Sequence, residues 1–442
     1  MKSLKALINA RIYDYHEYHE SAYIAYDELI EEVGKMSAFS PEKYDHVIDM
    51  QNNIVIPGFV AGHTHLYSAF ARGLNVPFNP NNFKEILEQL WWKLDHFLDE
   101  KMIIQSAFSS GLEQMVLGST TLIDHHASHL VLDTLEMIRK TLNQDLNLRA
   151  ILAFETSDRF DVDQTIIENI NFIEKNKNHQ IAGMFGMHAS MTLSDETLKK
   201  VRDQLNGAGI HIHVAESEMD ELDAISKHGQ SVVQRLDSFG LVNDKSLLVH
   251  CTHVKSEELD IIKKRNAYIA VNPSSNMNNA VGLPPLALMK EKKIPVIIGN
   301  DGLIPSMPLE YLNTYYSAHL KTADPVGFSL DDIREMIIDS HLFAGRLLDL
   351  PLGRIKKGYA ADLIAFPYHE YTPMNENTAF SHLFFGAFPA LKPQYVICGG
   401  KLMVEDYKIE KHLIDKNKES IEEASKLWER IQKEGAQLEF KD

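Results

Sequence analysis

Two His-x-His pairs, a lone histidine and a lone aspartate stand out among the residues of this chain that can do chemistry. His63 and His65 lie in GFVAGHTHLYS. His211 and His213 lie in GIHIHVAES, with Glu216 three residues on. His250 closes SLLVH, and Asp301 follows PVIIGN. In an extended strand, residues i and i+2 project to the same face, so each pair presents two imidazoles together. Two imidazoles on one face fill two positions of a zinc or iron site. One such pair alone also describes a strand end with two satisfied polar side chains. Four motifs that all close short apolar runs point jointly to a metal centre.

The elements that must position these residues follow from the same runs. The first 57 residues are β-rich, and Pro57-Gly58 punctuates the chain. From 59 to 352, short apolar stretches alternate with helical patterns. The strand candidates are 59–65, 120–125, 149–155, 183–188, 209–215, 246–250, 267–272 and 295–300. Eight strands alternating with helices predict an α/β fold, a (β/α)8 TIM barrel over 59–352, with all four motifs on the C-terminal rim where barrels build active sites. The competing architecture is an open doubly wound sheet, but no Gly-x-Gly-x-x-Gly turn follows the early strands. From 353 the chain turns β-like again, in GRIKKGYAADLIAF and QYVICGGKLMVEDYKI. Residues 1–58 and 353–442 are expected to form a small composite β-sandwich domain. A charged helix over 415–437 follows, with Ile421, Ala424, Leu427, Trp428 and Ile431 on its packing face.

Composition narrows the function. Lys and Arg number 44 against 62 Asp and Glu, a net charge of -18. Such a surface repels phosphate backbones, so nucleic acid is not an expected partner, and a neutral or cationic small molecule suits it better. No apolar run reaches membrane-spanning length, and the apolar stretch near the N-terminus is too short for a secretory signal. Cys251 and Cys398 are the two cysteines. They offer neither a disulfide framework nor a Cys-x-x-Cys knuckle, which fits a cytoplasmic location.

The segments PGFVAGHTH, HIHVAES, VHC and GNDG, in this order, resemble the amidohydrolase superfamily. Within it they resemble the branch that holds guanine deaminase, adenosine-derivative deaminases and triazine hydrolases. WWKLDHFLDE, LIDHHAS, FETSDR, MHASMTLSDETL and SSNMNNAVG are similar to the SsnA group of aminohydrolases. The resemblance spans nearly the whole chain. It implies His63, His65, His213 and Asp301 as metal ligands, Glu216 as proton shuttle, and His250 beside the reacting water. His211 matches a position usually outside the ligand set. Asn300 stands where the family often has Ser or Thr. Binuclear relatives carry a carboxylated Lys or a Glu on the fourth strand. This strand, AGMFGMHAS, has His188 and no Lys, so one divalent ion is expected, zinc before iron.

The implied reaction is hydrolytic deamination of an amino-bearing carbon in a nitrogen heterocycle. The metal ionises the attacking water, Asp301 acts as both ligand and proton acceptor, and ammonia leaves. Opening of a cyclic amide, or expulsion of a substituted amine or halide, is the alternative on the same fold, and a non-catalytic interaction barrel is a further one. Candidate substrate contacts are His125, His126, Glu155, His188, Arg72 and Trp92, with Trp91 beside the last. A homodimer is expected. Two isolated cysteines rule out the His-x-Glu, Pro-Cys-x-x-Cys deaminase pattern. The HEYHE of residues 16–20 lacks the i, i+4 histidine spacing of a zinc-protease helix.

Overall fold

The computed structural model describes residues 4–438 and 440. The N-terminal segment forms β1 (Lys5–Tyr13), β2 (Tyr18–Tyr26), β3 (Ile30–Lys35), β4 (His46–Asp49) and β5 (Ile54–Pro57). The central segment carries β6 (Phe59–Thr64), β7 (Ser119–His126), β8 (Arg149–Phe154), β9 (Ile181–Gly183), β10 (Phe185–Ala189), β11 (Ile210–Val214), β12 (Leu247–His250), β13 (Tyr268–Val271) and β14 (Val296–Ile298). β15 (Leu363–Phe366), β16 (Tyr395–Cys398) and β17 (Lys401–Val404) follow.

The central strands are all parallel. They fall into two sheets, β6-β7-β8-β9 and β10-β11-β12-β13-β14. β9 and β10 are two pieces of the expected fourth strand, so each of the eight strand candidates has its counterpart. Backbone bonds join the two sheets into a ring. On one side Thr156 N–H donates to the Gly186 carbonyl and His188 N–H to the Thr156 carbonyl, both at 3.0 Å. On the other, Asn300 N–H and Asp301 N–H donate to the His63 carbonyl at 2.9 and 3.1 Å. Runs such as LLVH in β12 and VII in β14 are wholly buried, because helices cover one face and the ring interior the other. Two glycines let the first and last strands of the ring approach. A Cβ on Gly62 would lie 2.6 Å from the Ile298 carbonyl oxygen, and one on Gly299 would lie 2.7 Å from the His63 backbone nitrogen and oxygen.

The two ends of the chain share one sheet in the order β17-β16-β15-β5-β1-β2-β3, with β4 on β1. The junction is β15 against β5, antiparallel, with Leu363 opposite Pro57 and Phe366 opposite Ile54. The C-terminal helix runs over Lys411–Glu434, starting four residues before the expected boundary. Leu427 and Ile431 are buried, but Ile421 is 68% exposed, which corrects its assignment to the packing face. Trp428 Nε1–H donates to the Phe70 carbonyl at 2.7 Å, and Ser420 Oγ–H donates to the Gln105 carbonyl at 3.2 Å. The helix thereby braces the segment that follows His65. Among the described residues no helix is long and apolar enough to cross a membrane.

Candidate metal centre and substrate cleft

His63 is the penultimate residue of β6 and His65 follows the strand, still extended at φ -121° and ψ 98°, so the two rings project together as the i, i+2 rule requires. His213 comes from β11 and Asp301 from the turn after β14. Their donor atoms converge. His63 Nε2 lies 2.9 Å from Asp301 Oδ1. His65 Nε2 lies 3.2 Å from the same oxygen and 3.2 Å from His213 Nε2.

Backbone carbonyls fix the tautomers of two of these rings. His65 Nδ1–H donates to the His125 carbonyl at 2.6 Å, and His213 Nδ1–H donates to the His188 carbonyl at 2.9 Å. When neutral, each ring then turns an Nε2 lone pair inward. Two lone pairs and a carboxylate oxygen facing one another across 3.2 Å repel unless a cation lies between them. Bonds of about 2.0–2.1 Å to a zinc ion place neighbouring donors roughly 3.0–3.4 Å apart; the two 3.2 Å spacings fall in that range and the 2.9 Å one just below it. Burial, and then the neighbouring histidines, push His213 well below its ordinary value, which keeps the ring neutral and able to bind metal. The residues present therefore fit a divalent ion. His250 also lies within the same cluster of possible ligands. Its Nε2 stands 4.0 Å from Asp301 Oδ2, further out than the Nε2 atoms of His63 and His65, so it borders the centre.

Behind the centre, His63 Nδ1 meets His211 Nε2 at 2.8 Å, both rings fully buried. Beside it, Glu216 Oε2 lies 3.4 Å from His250 Nε2, and Asn279 Nδ2–H donates to Glu216 Oε1 at 3.3 Å. Burial, and next the charge of Asp301, hold the Glu216 carboxyl well above the usual carboxylate range. The strand ends that supply these groups turn abruptly. Ala215, His250 and Asp301 have φ of 46°, 68° and 55°, a left-handed conformation that costs a non-glycine residue about 1–3 kcal/mol and gathers at functional sites.

A cleft opens over the centre. Of the predicted substrate contacts, Glu155, His188 and Trp92 line it, together with Trp91. The other three do not. His125 is fully buried, with Nε2–H donating to the Met187 carbonyl at 3.0 Å. His126 is buried against Tyr67 and Phe154, with Nε2 3.1 Å from Ser128 Oγ. Adjacent residues of a strand face opposite ways: the His126 ring turns into packing, while the His125 ring lies against those of His211 and His213 beneath the centre, 5.0 and 4.9 Å between ring centres. Arg72 is on the surface, paired with Glu113 at 3.0 Å. These three assignments are corrected. The wall that sequence reasoning missed is an ion cluster. Arg159 Nη2 donates to both oxygens of Asp95 at 2.8 Å, and Nη1 donates to Glu155 Oε1 at 3.1 Å. Its guanidinium stacks 4.5 Å from the Trp92 ring. The Glu155–Arg159 spacing of i, i+4 was visible in ETSDR. The partner Asp95, 64 residues away, was not.

Comparison with known proteins agrees with this geometry. The profile described as the Amidohydrolase family matches residues 54–403. The chain is 28% identical over 399 residues to a 5'-deoxyadenosine deaminase of Methanococcus maripaludis, covering 86% of this chain and 90% of that one. It is 29% identical over 398 residues to a 5-methylthioadenosine/S-adenosylhomocysteine deaminase of Syntrophomonas wolfei, covering 87% and 88%. Among solved structures, an adenosine deaminase from Xanthomonas campestris with bound zinc superposes with a TM-score of 0.81 at 18% identity, over 96% of this chain and 98% of that one. A zinc-complexed atrazine chlorohydrolase from Arthrobacter aurescens gives 0.80 at 18%, over 96% and 100%. These likenesses carry the TIM-barrel fold of parallel strands.

Proposed function

The chain belongs to the amidohydrolase family, and from that premise we propose that it is a metal-dependent aminohydrolase that replaces the amino group of a nitrogen heterocycle with a carbonyl and releases ammonia. The observation that carries this reading is the convergence of His63, His65, His213 and Asp301 within 3.2 Å steps, beside the buried carboxyl of Glu216, held well above the usual carboxylate range.

A single divalent ion would be held by those four residues, zinc rather than iron, and would supply the Lewis acidity to ionise water at neutral pH. The chain's own groups handle the protons. Asp301 Oδ2, the oxygen turned toward His250, takes a proton from the attacking water. Glu216 gives its proton to the ring nitrogen next to the attacked carbon, which removes charge as the oxygen adds. His250 Nε2–H steadies the oxygen in the tetrahedral adduct. The carbon–nitrogen bond to the amino group then breaks. Asp301 returns its proton to the amino group, which leaves as ammonia, and Glu216 regains a proton from the hydroxyl as the carbonyl forms.

The names of the relatives suggest a purine nucleoside without phosphate as the class of substrate. The cleft supports that choice. Arg159 is the one Lys or Arg among its described lining residues, and both Asp95 and Glu155 already claim it, so a phosphate dianion would meet no free cation. Glu155, His188 and Trp92 are the contacts this reading assigns to the substrate. It also divides the chain into a catalytic barrel over 59–352 and a sandwich-like domain of 1–58 and 353–442, supported by the pairing of β15 with β5. Assembly as a homodimer belongs to the same reading, and the exposed Leu309, Tyr316 and Leu320 on the helix Met307–Thr322 support it.

The test is ammonia release by zinc-loaded protein from aminated purines and their nucleosides, pterins and triazines. Glu216→Gln is expected to keep its zinc and lose about 10²–10⁴-fold in kcat. A zinc-replete variant with wild-type turnover removes the role. Product formation without ammonia replaces deamination with amide opening or halide loss.

A further inference from the structure

We propose that Gln114 is a positioning residue for the metal centre, tying the strand end that carries His63 and His65 to the turn that carries Asp301. The inference rests on the ligand roles assigned above to those three residues.

Gln114 lies in the helix Glu100–Val116 and is 1% exposed. Its side-chain amide is hydrogen-bonded at both ends. Oε1 accepts from Asn300 Nδ2–H at 3.0 Å. Nε2–H groups donate to Thr64 Oγ1 at 3.4 Å and to Ser110 Oγ at 3.3 Å. Thr64 stands between His63 and His65, and Asn300 immediately precedes Asp301. Neighbours along an extended strand face opposite ways, so Thr64 turns away from the centre as the two histidines turn toward it. Gln114 therefore grips the His-x-His segment from behind.

A backbone group fixes the sense of this chain of amides. Gly302 N–H can only donate, and it meets Asn300 Oδ1 at 2.9 Å. The NH2 of Asn300 must then face Gln114, which presents Oε1 to it and its own NH2 to Thr64. Neither amide can flip without setting two donors against each other. The bond from Gly302 also straddles Asp301, whose φ of 55° is left-handed. Such a conformation persists only where the surroundings over-determine it, and Asn300 supplies part of that hold. Backbone bonds already join the two segments, since Asn300 N–H and Asp301 N–H both donate to the His63 carbonyl. Both bonds end on one oxygen, so they define a pivot. Gln114 adds the second point that fixes the tilt of the turn.

The experiment compares the wild-type protein with Gln114→Met, Asn300→Ser and the double variant. Methionine fills the space of glutamine without its hydrogen bonds. A serine at 300 keeps an acceptor for Gly302 N–H but lacks the NH2 that reaches Gln114. Each single variant strands one buried partner, the Asn300 NH2 or Gln114 Oε1, so thermal unfolding of the metal-free protein is expected at a lower temperature in both. The double variant strands neither and is expected to recover most of that loss. A merely structural role would end there. A positioning role persists: zinc affinity, read against a competing chelator, is expected to weaken about tenfold or more in Gln114→Met and to stay weakened in the double variant. The visible absorption of the cobalt-substituted centre, which reports ligand geometry, is expected to shift in both. Turnover is expected to fall about 10–100-fold with KM moving less than about threefold. Wild-type zinc affinity and an unshifted cobalt spectrum in Gln114→Met overturn the proposal. So does recovery of both in the double variant along with its stability. If Gln114→Met fails to fold, Asn300→Ser carries the same two measurements. Neither needs a substrate, so failure of deamination leaves the test standing. A wild-type protein that takes up neither zinc nor cobalt removes the ligand assignment, and this inference with it.

Discussion

Glu310 shows how one buried carboxyl can mark the stability of the whole chain. It is fully buried in the helix Met307–Thr322. Oε2 accepts from Ser274 N–H at 3.3 Å, and Oε1 has no donor. Burial pushes its pKa up to about 8, against the lowering effect of the Ser274 bond. An unfolded glutamate titrates near 4.3. Between those values the folded state holds a proton that the unfolded chain has lost, so stability falls as pH rises through that window. Glu310→Gln is expected to leave thermal unfolding at pH 5 nearly unchanged and to raise its midpoint by a few degrees at pH 8.5. Parallel pH profiles for the two proteins would remove the assignment. Glu310 could not be singled out from sequence, because EYLNTYY does not say which of its residues faces inward without a donor. The residues that converge at the proposed centre could, while their roles as ligands rest on the resemblance. His63 and His65 need only the two-residue period of a strand, and Asp301 only its place at a strand end. His125, His126 and Arg72 were misplaced because ending a strand, or following one, does not decide whether a ring meets the cleft or the packing beside it.

At the scale of elements, the centre depends on how closely β14 approaches β6. Gly299 sits where a Cβ would meet the His63 backbone at 2.7 Å and Asn272 Oδ1 at 2.4 Å. The His63 neighbours are backbone and cannot swing away as a side-chain tip could. Gly299→Ala is expected to cost about 1–3 kcal/mol and to weaken zinc binding at least tenfold, because the strand it displaces carries His63. Zinc titration against a competing chelator measures the second effect. Unchanged affinity would mean that the ring closes with slack. The eight-strand pattern of the barrel was readable, since buried parallel strands are short apolar runs between helices. The break between β9 and β10 was not. The C-terminal helix was legible in type and length, yet its buried face was misjudged at Ile421. Periodicity defines a stripe, while the neighbour Glu100–Val116 decides how much of it is covered.

For the molecule as a whole, the metal is expected to act as a staple across the ring. Its proposed ligands come from the first, fifth and eighth strands, so an ion that binds only the folded state holds distant segments together. At a thousandfold excess over Kd, such binding adds about 4 kcal/mol. Chelation is expected to lower the unfolding midpoint by several degrees, and zinc to restore it. A midpoint unmoved after metal analysis shows the ion gone would deny that linkage. The sequence by itself determined the histidine and aspartate motifs, the strands that carry them and the likeness of the chain to amidohydrolases. These properties are local: two residues on one strand face, or one residue at a strand end. Tertiary structure alone decided which donors share a point, which histidines retreat into packing, and how Asp95 and Arg159, or Gln114 and Asn300, come to face each other. Those pairings are set by ring closure and by left-handed turns at the strand ends, where segments far apart in the chain meet within a hydrogen bond's reach.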